Sequence, residues 1–115
     1  MLYQDTKRRH SLKAFRECLY RYLKAHALRY SDQRERVLKA LYAQSYPVTI
    51  DRLLRILNEE NFKAASYPTV VRHINFFNRL GWLKVVEKPQ KEYLLQARPK
   101  DCKENPYEDF EYDPL

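Results

Sequence analysis

The stretch SYPTVVRHINFFNRLGWL, residues 66–83, carries its own start signal, its own two faces and its own stop. Ser66 has the side-chain oxygen of a good N-cap, and Pro68 falls in the first turn, where a missing N–H costs little. At 100° per residue Val70, Ile74 and Phe77 fall on one stripe, while Pro68, Arg72, Asn75 and Arg79 fall on the opposite one. Gly81 is the only glycine of the chain and follows the last periodic residue, where a helix end often turns left-handed. The spacing therefore predicts a helix over about 66–80 with an apolar inner face and a cationic outer face.

Downstream, residues 82–88 and 91–96 are rich in Val, Leu and Tyr and flank Pro89 and Gln90, the pattern of two short strands joined by a turn. Upstream, Leu12, Phe15, Leu19, Tyr22 and Leu23 recur at helical spacing across 11–27, opposite Lys13, Arg16, Arg21 and Lys24. A helix over 31–43 starts at Ser31 and turns Val37, Leu38 and Leu41 inward. Another over 49–58 starts at Thr49 and buries Leu53, Ile56 and Leu57. The fold class expected is mainly α with a small β-hairpin: a winged helix-turn-helix preceded by an extra N-terminal helix, with its wing at 82–96. Residues 1–98 form that domain, and 99–115 form an acidic C-terminal tail.

Charge narrows the partners. The chain of 115 residues carries 22 Lys and Arg against 15 Asp and Glu, a net +7. The excess sits in residues 1–98, with 20 basic and 9 acidic side chains; the last 17 residues reverse it, with 2 against 6. A basic body favours polyanions. Cys18 and Cys102 lie far apart with no CxxC and no neighbouring His, and are read as reduced, structurally inert thiols rather than as a disulfide or a zinc site. No metal and no cofactor are expected. No uncharged apolar run approaches the roughly 18 residues of a membrane span, and the opening MLYQDTKRRH lacks a signal-peptide apolar region, so a cytoplasmic location without membrane contact is expected. An enzyme is not: there is no Gly-rich phosphate loop, no paired nucleophile and base, and no metal-ligand spacing.

In a winged helix the second motif helix enters the major groove and the hairpin lies along the backbone. Arg72 could then hold guanine O6 and N7 or a phosphate, and Asn75 could pair with adenine. Pro68 and Arg79 share that face. Tyr67, Thr69 and Val71 border it, suited to thymine methyl or phosphate contact. Arg29, Tyr30, Ser31 and Arg34 at the start of the second helix, and Lys84, Lys88 and Lys91 of the hairpin, are candidate phosphate contacts. Any one of these residues alone could be solvated surface; their joint occurrence is the signal. Phe76 falls toward the exposed side of the wheel and is expected to pack on the first helix or the hairpin. His73, beside the core stripe, is expected to be a packing residue.

These residues resemble the N-terminal DNA-binding domain of the ferric uptake regulator family. LRYSDQRERVLKAL (28–41), with Ser31 and then Arg34, looks like the start of a helix of that family. VTIDRLLRIL (48–57) is similar to the next, and residues 66–83 resemble its recognition helix and glycine exit. The resemblance spans about residues 12–96. It implies base and backbone contacts from Arg72 and its neighbours, and a groove contact from Arg29. The family commonly places a tyrosine immediately before the recognition arginine, where this chain has Val71, so a different sequence preference is implied. The family's metal-binding dimerisation domain has no counterpart in these residues, and iron sensing is not expected.

The function expected is sequence-selective binding of double-stranded DNA by a transcription regulator. The alternative is a winged-helix protein–protein interaction module acting on a transcription or replication partner through the first helix, Phe76 or the acidic tail. A homodimer is expected, because one recognition helix reads few base pairs, and the apolar stripe of the first helix, Phe76 and the tail are the surfaces nominated for it. In the tail, Tyr107, Phe110 and Tyr112 alternate with carboxylates that could compete with phosphate or remain solvated.

Overall fold

The computed structural model describes residues 9–59, 65–87, 89–100 and 102. Four helices and a hairpin follow in order: α1 (Leu12–Ala25), α2 (Asp32–Tyr42), α3 (Ile50–Glu59), α4 (Tyr67–Arg79), β1 (Leu83–Val86) and β2 (Glu92–Leu95). The fold is thus mainly helical with a small antiparallel hairpin.

Each helix is started by one hydroxyl. Ser11, Ser31, Thr49 and Ser66 accept a hydrogen bond from the backbone N–H three residues on, at Ala14, Arg34, Arg52 and Thr69, over 3.0, 3.1, 3.1 and 3.4 Å. The caps themselves stand outside the helix, so each helix begins one residue later than a reading that counts the cap.

Two helices end alike. After α4, Gly81 takes φ +78°, its N–H reaching Asn78 O and that of Trp82 reaching Phe77 O. After α1, Ala27 takes φ +53°, its N–H reaching Lys24 O and that of Leu28 reaching Leu23 O. Both are Schellman closures. They end α1 at Ala25 rather than at Ala27 as expected, because alanine, unlike glycine, does not announce a left-handed position.

The core gathers one stripe from every element: Phe15, Leu19 and Leu23 of α1, Val37, Leu38 and Leu41 of α2, Leu53 and Leu57 of α3, and Val70, Ile74 and Phe77 of α4. Trp82 closes it. Its ring stacks on Phe77 with centroids 5.6 Å apart and meets Phe15 edge-on at 5.6 Å. Ile56, expected inside, is only partly buried against this core.

In the hairpin Leu83 faces Leu95, Lys84 faces Leu94, Val85 faces Tyr93 and Val86 faces Glu92. Tyr93 also pairs on its other side with Val48, N–H to carbonyl in both directions at 2.9 and 2.8 Å. The linker before α3 therefore adds a one-residue third strand to the wing. A single residue has no period, so the sequence does not reveal it.

The cysteine expectation is overturned. Cys18 and Cys102, separated by 84 residues, are joined in a disulfide with their Cα atoms 5.5 Å apart. Sequence distance is no guide here, because the fold returns the chain after β2 to the side of α1. His10 lies in the same seam and is fully buried. Its backbone N–H donates to Ala97 O at 2.9 Å, and its Nε2 lies 2.5 Å from Cys102 O. Pro99 is buried as well, so Pro99 and Cys102, both in the stretch expected to be tail, pack on the domain. The ring residues and carboxylates nominated in the tail, Asp101 and residues 103–115, lie outside the described residues. No helix among the described residues is long and apolar enough to cross a membrane.

Candidate nucleic-acid interface

The outer face of α4 is built as the wheel requires. Val70, Ile74 and Phe77 are fully buried, whereas Pro68, Arg72, Asn75 and Arg79 are exposed. Tyr67 is 48% exposed at the N-terminus of the helix. Thr69 is half-buried, its Oγ1 2.7 Å from Ser66 Oγ, and Val71 is half-buried beside it.

Arg72 and Arg79 line a cleft of about 420 Å³ whose other walls are Tyr22, Leu28, Arg29, Tyr30, Ser31, Arg34 and Phe76. Six of the candidate DNA contacts named from sequence thus meet in one place, although they come from two segments far apart in the chain. Four are arginines, and no carboxylate belongs to the lining. Tyr22 and Leu28 were not singled out, since they read as the core stripe of α1 and an ordinary loop residue.

The two acids adjoining this cleft in sequence are both paired, Asp32 with Arg36 at 2.9 Å and Glu35 with several groups. Glu35 pairs with Arg16 of α1 at 3.1 Å and accepts from the hydroxyls of Tyr20 and Tyr30, the latter at 3.2 Å. Tyr30 is thereby a weak acid, pushed up to about 12 by loss of water and by its bond to Glu35. Ser31 is engaged too, its oxygen capping α2.

Arg34 is placed differently from the other arginines. Its guanidinium lies 4.0 Å from the centroid of the Phe76 ring, a cation–π contact, and its Nε is buried without a hydrogen-bond partner among the described residues. Burial lowers its pKa. Phe76 itself is 8% exposed, meeting Tyr22 edge-on at 5.7 Å and Phe77 at 5.4 Å. The ring packs on α1, one of the two arrangements expected, and also lines the cleft. The apolar stripe of α1, nominated as a dimer surface, is likewise committed to the domain's own core.

His73 is buried under the same face. Burial first, then the charges of Arg34 and Arg72, push its pKa down to about 4. It is a neutral packing residue under the cationic cleft.

The described hairpin cations, Lys84 and Lys91, do not join the cleft. Lys84 on β1 and Lys91 just before β2 are exposed; Lys88 lies outside the described residues. Among the described residues no three His, Cys, Asp or Glu side chains come together as metal ligands.

No protein-family model matches the chain, and no curated protein is similar to it in sequence. Solved structures do resemble it in fold. The ferric uptake regulator Fur of Helicobacter pylori, whose structure reveals three functional metal binding sites, superposes with a TM-score of 0.70 at 24% identity, over 77% of this chain and 60% of that one. PerR of GAS, in a PerR-Zn-Zn form, superposes with a TM-score of 0.62 at 15% identity, over 70% and 53%. The fold is therefore that of the winged-helix portion shared by these two proteins. This chain spans about 60% of the length of the Fur chain.

Proposed function

We propose that the chain is a sequence-selective transcription regulator that binds double-stranded DNA in the cytoplasm as a homodimer. In this reading α4 lies in the major groove, Arg72 and Asn75 reach base edges, and Tyr67, Pro68, Thr69 and Val71 fit the groove wall at the start of the helix. Arg29, Tyr30, Ser31, Arg34 and Arg79 grip the phosphates on one flank. Lys84, Lys88 and Lys91 of the wing hold the other.

The observation that carries the reading is the convergence of Arg29, Arg34, Arg72 and Arg79 on one cleft without a carboxylate in its lining. Four guanidiniums held together repel one another unless an anion is brought among them, and Arg34 is in addition partly desolvated. The carboxylates one residue along are both paired, Asp32 with Arg36 and Glu35 with Arg16, Tyr20 and Tyr30. A polyanion that fits a helix and its flanking cations is duplex DNA.

Selection of duplexes from a random library by the purified chain tests this directly. An enriched motif, lost in the Arg72→Ala variant, is the expected result. Absence of duplex binding at low salt would sink the proposal.

A further inference from the structure

A second cavity, of about 270 Å³, opens beside the disulfide and is lined by Cys18, Tyr22, Arg79, Leu80 and Trp82. Cys102 is not part of that lining, so of the two disulfide cysteines it is Cys18 that borders the cavity. Two cations serve this place. Arg79 stands in the cavity wall, and Arg21 Nη2 donates to Cys18 Sγ at 3.4 Å, drawing electron density from the sulfur. Both favour the approach of an anion, and the attacking species in disulfide exchange is a thiolate.

We propose that Cys18 is a site of S-thiolation by a small thiol that bears carboxylates. The thiolate enters the cavity and attacks Cys18 Sγ. A bond between the incoming sulfur and Cys18 Sγ forms as the Cys18–Cys102 bond breaks, and Cys102 departs as a thiolate with the electron pair. One disulfide replaces another. A second thiolate then attacks the sulfur of the adduct, releasing the disulfide of the small thiol and leaving Cys18 as a thiolate; two thiols have been oxidised and one protein disulfide reduced.

The adduct bears on DNA because Tyr22 and Arg79 line both cavities. Its carboxylates stand beside Arg79 and offset the charge that the cleft offers to phosphate, so thiolated protein binds DNA more weakly. That consequence rests on the DNA-binding reading above; the sulfur chemistry does not.

The test uses the full oxidised chain with reduced glutathione as probe and 2-mercaptoethanol as a control without carboxylates, followed by intact mass and peptide mapping. Circular dichroism establishes that the reacting protein is folded. One glutathione on Cys18 is expected, formed roughly two- to fivefold more slowly in Arg79→Ala, as for loss of one partly exposed charge pair. The 2-mercaptoethanol rate should fall less, because only its thiolate meets Arg79, and Arg79→Lys should restore most of the glutathione rate. An adduct on Cys102, or equal slowing with both thiols, overturns the site. Duplex binding by oxidised protein, adduct and the Cys18→Ser/Cys102→Ser double variant separates the two readings. Adduct that binds as tightly as oxidised protein overturns the regulatory consequence. Absence of binding by all three forms overturns the DNA reading and leaves the mapped adduct to decide the chemistry.

Discussion

Ala27 and Gly81 do the same backbone work with different side chains. Both sit at positive φ just beyond a helix, a region that costs an L-residue roughly 1 kcal/mol and costs glycine nothing. Nothing lies within 4 Å of a Cβ placed on Gly81, so the cost there would be conformational, not steric. Denaturant unfolding should find Gly81→Ala less stable by about 1 kcal/mol and Ala27→Gly more stable by a few tenths to 1 kcal/mol, the gain being reduced by the greater freedom of glycine in the unfolded chain. His73 adds a pH dependence. Its folded pKa of about 4 lies below the ordinary 6.5, so the unfolded chain binds the proton more tightly. The contribution is full above pH 6.5 and is lost as the pH falls toward 4, by up to about 3 kcal/mol in all. Urea unfolding at pH 7 and pH 4.5 should show that loss, and His73→Gln should lack most of it; equal slopes in the two proteins would remove His73 from the account.

Among the elements, α4 and the hairpin are expected to act on DNA in separable ways. Arg72 stands on the exposed stripe of α4, whereas Lys84 and Lys91 belong to a hairpin outside the cleft. Arg72→Ala should cost the preferred site about 1 to 3 kcal/mol and flatten the preference among sites. Lys84→Ala and Lys91→Ala should weaken all duplexes alike and leave that preference intact. Binding assays on matched and scrambled duplexes distinguish the two, and an unchanged preference in Arg72→Ala would take base reading away from it. The disulfide works at this scale too, since it ties the segment after β2 to α1 across 84 residues. Closing a loop of that length removes about 4 to 5 kcal/mol of unfolded-chain entropy in the chain-entropy treatment. Cys102→Ser should therefore lower unfolding stability by about 2 to 5 kcal/mol, and a reductant should do the same to the native protein but nothing further to the variant.

For the whole molecule the governing quantity is charge. A net +7, with an arginine cleft on one flank of α4 and lysines in the wing, should make duplex affinity fall linearly in log–log with salt. The slope should be about −5 if five or six phosphates are engaged. Sedimentation at the same salt concentrations gives the stoichiometry: two chains on a two-fold repeated site are expected, and one chain on an unrepeated half-site would exclude the homodimer.

What the sequence determined by itself is whatever obeys a local rule. Hydroxyl caps at Ser11, Ser31, Thr49 and Ser66, the 3.6-residue recurrence of Leu, Val, Ile and Phe, and the lone Gly81 act within a turn or two of themselves. Four helices, the hairpin and the exposed Arg72 face were therefore legible, as was the packing role of His73. Tertiary structure decided what depends on residues distant in the chain. It brought Arg29 and Arg34 to Arg72 and Arg79, laid Arg34 on Phe76, paired Glu35 with Arg16 and Tyr20, and joined Val48 to Tyr93. It also closed Cys18 on Cys102, which the sequence reading had kept apart. The physical reason is the same in each case: these contacts have no period and no fixed spacing, and form only when burial of the shared core brings the segments together.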